Sequence, residues 1–147
     1  MKLKFISILL LLSVNCYSQN INSQINGDWL RVEYEDNQAY KEFHITDSLM
    51  WVFHEALGLT EPIIYEIDPI TNKLYYYNNY TGEKSPELAI IQLENDTLEF
   101  HTLVEEMSGK IFRFIRNNSN EPKLGDLVNQ RITEKDFWPY FLQRKPK

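Results

Sequence analysis

Leu88-Ala89-Ile90-Ile91-Gln92-Leu93-Glu94-Asn95-Asp96-Thr97-Leu98-Glu99-Phe100-His101-Thr102-Leu103 is the stretch that decides the fold class. The run Leu88–Leu93 is apolar and of strand length. In Thr97–Leu103 the residues Leu98, Phe100 and Thr102 share one face, as period-two alternation requires. Between the two runs stands Glu94-Asn95-Asp96, whose side chains favour a turn. A connection this short joins antiparallel neighbours, because a parallel crossover needs about a dozen residues or more.

The same pattern repeats on both sides. Upstream lie Asp28–Tyr34, Tyr40–Thr46, Leu49–His54, Ile63–Ile67 and Leu74–Asn78; downstream lies Lys110–Arg116. Turn-forming clusters separate most of them, among them Thr46-Asp47-Ser48 and Asp68-Pro69-Ile70-Thr71-Asn72. The expectation is an all-β domain, an antiparallel up-and-down β-barrel of about eight strands. Closure removes the exposed edges that invite aggregation, and about eight strands leave an interior that side chains fill or that holds one small ligand.

Several strands are apolar on both faces, so the barrel needs an outer cover. The end of the chain supplies one. Thr133-Glu134-Lys135-Asp136 has the spacing of a capping box, and Phe137, Tyr140 and Phe141 recur on one helical face. Pro139 interrupts the ladder of such a helix, so a short or broken helix is expected, packed on the barrel with the last three residues frayed.

The amino terminus has a different character. Lys2 and Lys4 precede the apolar run Phe5–Leu12, and the small residues Cys16 and Ser18 follow; these are the parts of a secretory signal. Asn15 stops the run well short of the ~20 residues that span a membrane. Export to a periplasmic or secreted location is expected, with cleavage before Gln19. Lipidation at Cys16 is a competing outcome, although Ser13 and Asn15 replace the residues such sites usually carry. Cleavage would remove the one cysteine, and with it any disulfide or thiolate chemistry. It would also take two lysines from the 15 basic side chains and none of the 21 acidic ones, moving the net charge from −6 to about −8. That sign repels phosphate backbones, so nucleic acid is not an expected partner. Hydrophobic residues at 43% and aromatics at 14% nonetheless belong to a globular chain.

Gly27-Asp28-Trp29, preceded by Ile25, resembles the Gly-x-Trp opening of the lipocalins and of bacterial lipocalin-like domains. The resemblance spans roughly residues 27–142 and extends to strand order and to a helix after the last strand. It implies a calycin-type barrel whose tryptophan packs across the closed end, against an arginine of the last strand, either Arg113 or Arg116. Mature cysteines and a lid loop, both common in secreted eukaryotic lipocalins, are missing here. The bacterial lipocalin-like group is similar in both respects.

Residues able to carry chemistry are few. His44, His54 and His101 are the histidines, and the first two lie in successive strands, where pairing brings side chains within about 5 Å. They are weak candidates for a metal, with Glu42 or Glu55 as a neighbour; the helical His-Glu-x-x-His spacing is absent and no cofactor is expected. The acidic residues are scattered over turns without a marked pair, and neither Gly-x-Ser-x-Gly nor Ser-x-x-Lys occurs, so no enzyme is expected. In Tyr75-Tyr76-Tyr77 the outer two phenols face one way and the middle one the other.

The organisation expected is therefore a signal peptide at 1–18, a lead-in at 19–26, a lipocalin-like barrel at 27–116, and a linker with a C-terminal helix at 117–147. Two functions are open. One is a binding module holding a small, apolar ligand in a lumen lined by Trp29, Tyr65, Phe100 and Arg113. The other is an interaction module with a filled barrel that meets an envelope or secreted protein. An enclosed apolar cavity of about 300 Å³ or more would favour the first. A filled lumen beside an exposed aromatic patch would favour the second.

Overall fold

A computed structural model describes residues 20–33 and 38–146; the expected signal peptide, with Cys16, lies outside the described residues. The strands are β1 (Gly27–Arg31), β2 (Lys41–Ile45), β3 (Leu49–His54), β4 (Gly58–Leu59), β5 (Ile63–Ile67), β6 (Lys73–Tyr77), β7 (Ala89–Glu94), β8 (Thr97–Thr102) and β9 (Ile111–Arg116). Among the described residues three helices accompany them: α1 (Ile21–Gln24), α2 (Leu124–Val128) and α3 (Glu134–Arg144). A short 3-10 turn, Glu105–Met107, lies between β8 and β9.

Eight strands form a closed antiparallel ring in chain order. The sheet runs from β2 through β1, β9, β8, β7, β6 and β5 to β3, and pairing of β2 with β3 closes it. Strands β3, β5 and the last strand fall within a residue of the runs read from the sequence. The element that alternation did not reveal is β4, two residues long and paired only with the end of β3. It continues into β5 across a bulge. Between the pairs Phe53–Leu59 and Met50–Ile63, β3 advances three residues while its partner advances four. Pro62 lies in that bulge, where its missing N–H costs no ladder bond.

Period two divides each strand between two cores. Inward residues, including Trp29, Met50, Ile67, Leu74, Ile91 and Leu98, form one buried cluster in the lumen. Outside, Tyr40 and Phe53 from the β2–β3 side meet Leu124, Leu127, Phe137 and Phe141 from α2 and α3. The Phe53 ring stands 4.8 Å from those of Phe137, Trp138 and Phe141. The expected cover is therefore in place, but it is continuous rather than broken. Thr133 caps it, accepting from the Asp136 N–H at 3.3 Å. Pro139 and Lys135, the residue whose carbonyl loses its donor, are both exposed, so water replaces the lost bond and the helix persists. The expected linker also holds α2, which at five residues is too short to show a helical period.

A buried ion pair pins α3 to the barrel. Arg144 Nε and Nη2 each lie 2.9 Å from the carboxylate of Glu42, on the outer face of β2. Their side chains are 8% and 2% exposed, and Tyr40 adds a hydroxyl hydrogen bond at 3.1 Å. Burial pushes the Glu42 carboxyl above the usual carboxylate range, against the pull of Arg144 and Tyr40. No helix among the described residues is long and apolar enough to cross a membrane.

Candidate functional site

Because β1 enters at one end of the barrel and leaves at the other, its inward residues sample both. Gly27 and Trp29 lie at the first end, and Arg31 reaches the second. The antiparallel order places the β1–β2, β6–β7 and β8–β9 connections together at that second end.

The first end is shut. Trp29 is fully buried and donates its indole N–H to the carbonyl of Ile25 at 2.7 Å. The Arg116 guanidinium lies 4.3 Å from the centre of the indole ring. It donates to the carbonyls of Asn26 at 2.8 Å and Gln24 at 2.7 Å, and pairs with Asp96. Gly27 has φ +128, and a Cβ there would stand 3.0 Å from Arg116 Nη1. The glycine of Gly-x-Trp thus supplies both an unusual backbone angle and room for the arginine. Arg116 occupies the position that the resemblance left between two arginines.

Arg113 does not enter the lumen. With Phe112 and Phe114 facing inward, alternation turns Arg113 outward, where it pairs with Glu99 at 2.6 Å and Glu33 at 2.7 Å. Tyr65 is buried in the lumen core and donates its hydroxyl to the Thr46 carbonyl. Burial, aided by the charge of Asp47, pushes that phenol well above its ordinary range. Of the four lumen residues expected from the sequence, Phe100 lines open space; Trp29 and Tyr65 are packing.

At the second end the lumen is not filled. A cavity of about 220 Å³ is walled by Phe43, Phe100, Phe112, Phe114, Leu74 and Ala89, with Val104 and Met107 at the 3-10 turn beside it. The aromatic wall is well packed. Phe43 stacks on Phe114 at 4.6 Å, and Phe100 meets Phe114 edge to face at 5.3 Å. The Tyr76 phenol also lines the cavity, and its hydroxyl has no hydrogen-bond partner among the described residues; burial pushes its pKa up to about 12. Tyr75 and Tyr77 face outward, with Lys84 4.1 Å above the Tyr75 ring and Tyr77 bonded to Glu66.

Two cations complete the cavity wall, Arg31 and Lys41. Trp29 pairs with Phe43 and Leu30 with Glu42, so one further step of the register sets Arg31 opposite Lys41 on the inner face. The next strand continues the row, since Lys41 pairs with His54. Arg31 is held by the Glu33 carbonyl at 3.1 Å and by Gln38, and lies 4.8 Å over the Phe112 ring. The Lys41 ammonium forms no ion pair or hydrogen bond with a described residue. Burial and then the charge of Arg31 lower its pKa. His54 is lowered too, by burial and by Lys41.

The two histidines considered for a metal are separated. His54 belongs to the inner face and His44 to the outer, where it pairs with Trp51. The His44 ring accompanies Asp28 at 3.0 Å, and Asp28 also accepts the Gly125 N–H at 2.7 Å. A Cβ on Gly125 would come within 2.7 Å of the His44 ring, so the glycine lets α2 dock on β1 and β2. The arrangement is a clamp between barrel and helix. Ser119, in the same surface pocket, donates its hydroxyl to Asn117 Oδ1 at 2.7 Å. Among the described residues no group of three or more metal-ligating side chains converges.

Sequence reasoning missed Arg31, Lys41 and Phe43, and set Tyr76 opposite Tyr75 and Tyr77 without deciding which of them face the lumen. A signal was available: stepping by two from Trp29 reaches Arg31, and stepping by two from Phe43 reaches Lys41. A charge in phase with core aromatics marks a cation that faces the lumen. Comparison of the chain with protein-family models, with curated proteins and with solved structures finds no match in any of the three.

Proposed function

We propose that the chain is an exported, lipocalin-like binding module that holds a small, largely apolar ligand in the open half of its barrel. The observation that carries this is the division of the lumen. One end is plugged by Trp29 and Arg116, while the other keeps about 220 Å³ of space against four phenylalanines. The volume is below the ~300–1,000 Å³ of drug-sized sites, so the ligand is small or projects from the mouth. The arrangement of Gly27, Trp29 and Arg116 supports the lipocalin-like reading. The alternative, an interaction module with a solid barrel, has less support. Tyr80 is the only aromatic among the strongly exposed large hydrophobic residues described, and the others are scattered aliphatics and Met107.

Native mass spectrometry of the protein recovered from its own host tests the proposal. A retained small molecule is expected, together with an intact mass that begins at Gln19. A second protein chain retained instead, with no saturable uptake of a small apolar dye, would transfer support to the interaction module. A mass carrying acyl chains on Cys16 would show a lipid-anchored module.

A further inference from the structure

We infer that Asn26, in the Asn26-Gly27 step at the closed end of the barrel, is a site of spontaneous conversion to aspartate and isoaspartate, held back by Asp47 and Arg116 while that end is shut. The inference is independent of any ligand in the lumen. Asn26 is the one asparagine of the chain that precedes a glycine. A glycine has no Cβ to shield its amide nitrogen, so Gly27 N can reach the side-chain carbonyl carbon of Asn26 once the backbone is free to turn. The Gly27 nitrogen then bonds to Asn26 Cγ and gives up its proton, and Nδ2 departs with that proton as ammonia, leaving a cyclic imide. Water opens the imide at either carbonyl, giving aspartate or isoaspartate.

The closed end opposes each part of that step. Asn26 Nδ2, the leaving group, donates to Asp47 Oδ1 at 2.6 Å, on the turn between β2 and β3. The Asn26 carbonyl accepts from Arg116 Nη1 at 2.8 Å, which fixes the peptide plane that carries the Gly27 nitrogen. Gly27 pairs with Ile45 at the start of β1, and its φ of +128 is held within that ladder. Attack would place negative charge on Asn26 Oδ1, which is buried and has no hydrogen-bond partner among the described residues. An oxyanion without donor or water is costly, so the step waits until that end opens.

The consequences fall on the plug. Aspartate at position 26 would set a carboxylate where Nδ2 now meets Asp47, replacing a hydrogen bond by like-charge repulsion. Isoaspartate would add a methylene to the main chain between Ile25, which accepts the Trp29 indole N–H, and Gly27, against which Arg116 packs. An opening that ends in conversion is therefore not reversed, and converted chains record how often the closed end has opened.

Peptide mapping by mass spectrometry of the whole chain, incubated folded and in urea at mildly alkaline pH, tests this. In urea the peptide holding Asn26 should convert at the same rate in wild type, Asp47→Ala and Arg116→Met. Folded wild type should convert about tenfold or more slowly than in urea, because local opening carries a free-energy cost. Folded Asp47→Ala and Arg116→Met should each regain about tenfold, the change expected when a hydrogen bond to a charged group is lost. Thermal unfolding checks that each variant is folded; Asp47 is exposed, so its variant decides the matter should Arg116→Met fail to fold. A wild type that converts as fast folded as in urea, or folded variants that keep the wild-type rate, would overturn the protection by the plug. No conversion at Asn26 in urea would overturn the site itself.

Discussion

The two ends of the barrel are built from the same strand pair and differ in what their cations do. At the closed end, Arg116 spends its donors on two backbone carbonyls and Asp96, and its face on Trp29. At the open end, Lys41 and Arg31 both line the cavity, and Lys41 has no anion of its own among the described residues. The closed end is filled and braced, whereas the open end keeps space against its aromatic wall.

Variants can break this contrast, beginning with the largest effect. Trp29→Ala should cost about 3–5 kcal/mol in urea unfolding, because it empties the plugged end of its largest side chain. Arg144→Met should cost a similar ~3–5 kcal/mol by leaving Glu42 buried and unpaired. It touches neither end of the lumen. Its pH dependence has a definite sign. Glu42 already has a folded pKa above its unfolded value, and loss of Arg144 raises it further. Such a group favours folding below its unfolded pKa and loses that contribution as pH rises through the folded value. The deficit of Arg144→Met relative to wild type should therefore shrink as pH falls from neutral toward about 4, near the reference carboxylate value. Replacing Glu42 and Arg144 together by apolar residues of similar volume should restore most of the loss.

Arg116→Met sharpens the comparison at intermediate cost, about 1–3 kcal/mol, since carbonyls of Asn26 and Gln24 lose a charged donor. The smallest effect belongs to the open end. Lys41→Met should be neutral or stabilising by about 0.2–1 kcal/mol, because it removes a like-charge pair. A loss of several kcal/mol there would mean that Lys41 holds the fold together, and the contrast between the ends would fail.

Much of the barrel was legible because its rules are local. The alternation of Leu98, Phe100 and Thr102, and the turn at Asn95, which takes φ 53, require nothing beyond neighbouring residues. The plug was legible only through the resemblance of Gly27 and Trp29 to a Gly-x-Trp opening, which left its arginine open. Arg113 was misplaced because two arginines three residues apart lie on opposite faces, and only the phase of the last strand decides which one enters. His44 and His54 were separated by the same parity. β4 and α2 were missed because two and five residues are too short for a period to appear.

The amino-acid sequence by itself determined an all-β chain of eight main strands with short antiparallel connections and a helical cover. Those features follow from side-chain period, turn chemistry and apolar balance, which the chain carries residue by residue. Tertiary structure alone decided where the lumen stays open and which cations face it. Arg31 and Lys41 are ten residues apart and become neighbours through β1–β2 pairing, while Glu42, Glu55 and Glu33 are drawn off by partners from 80 to 102 positions away. Long-range pairing, rather than composition, leaves the Lys41 ammonium at an apolar cavity with no counter-ion among the described residues.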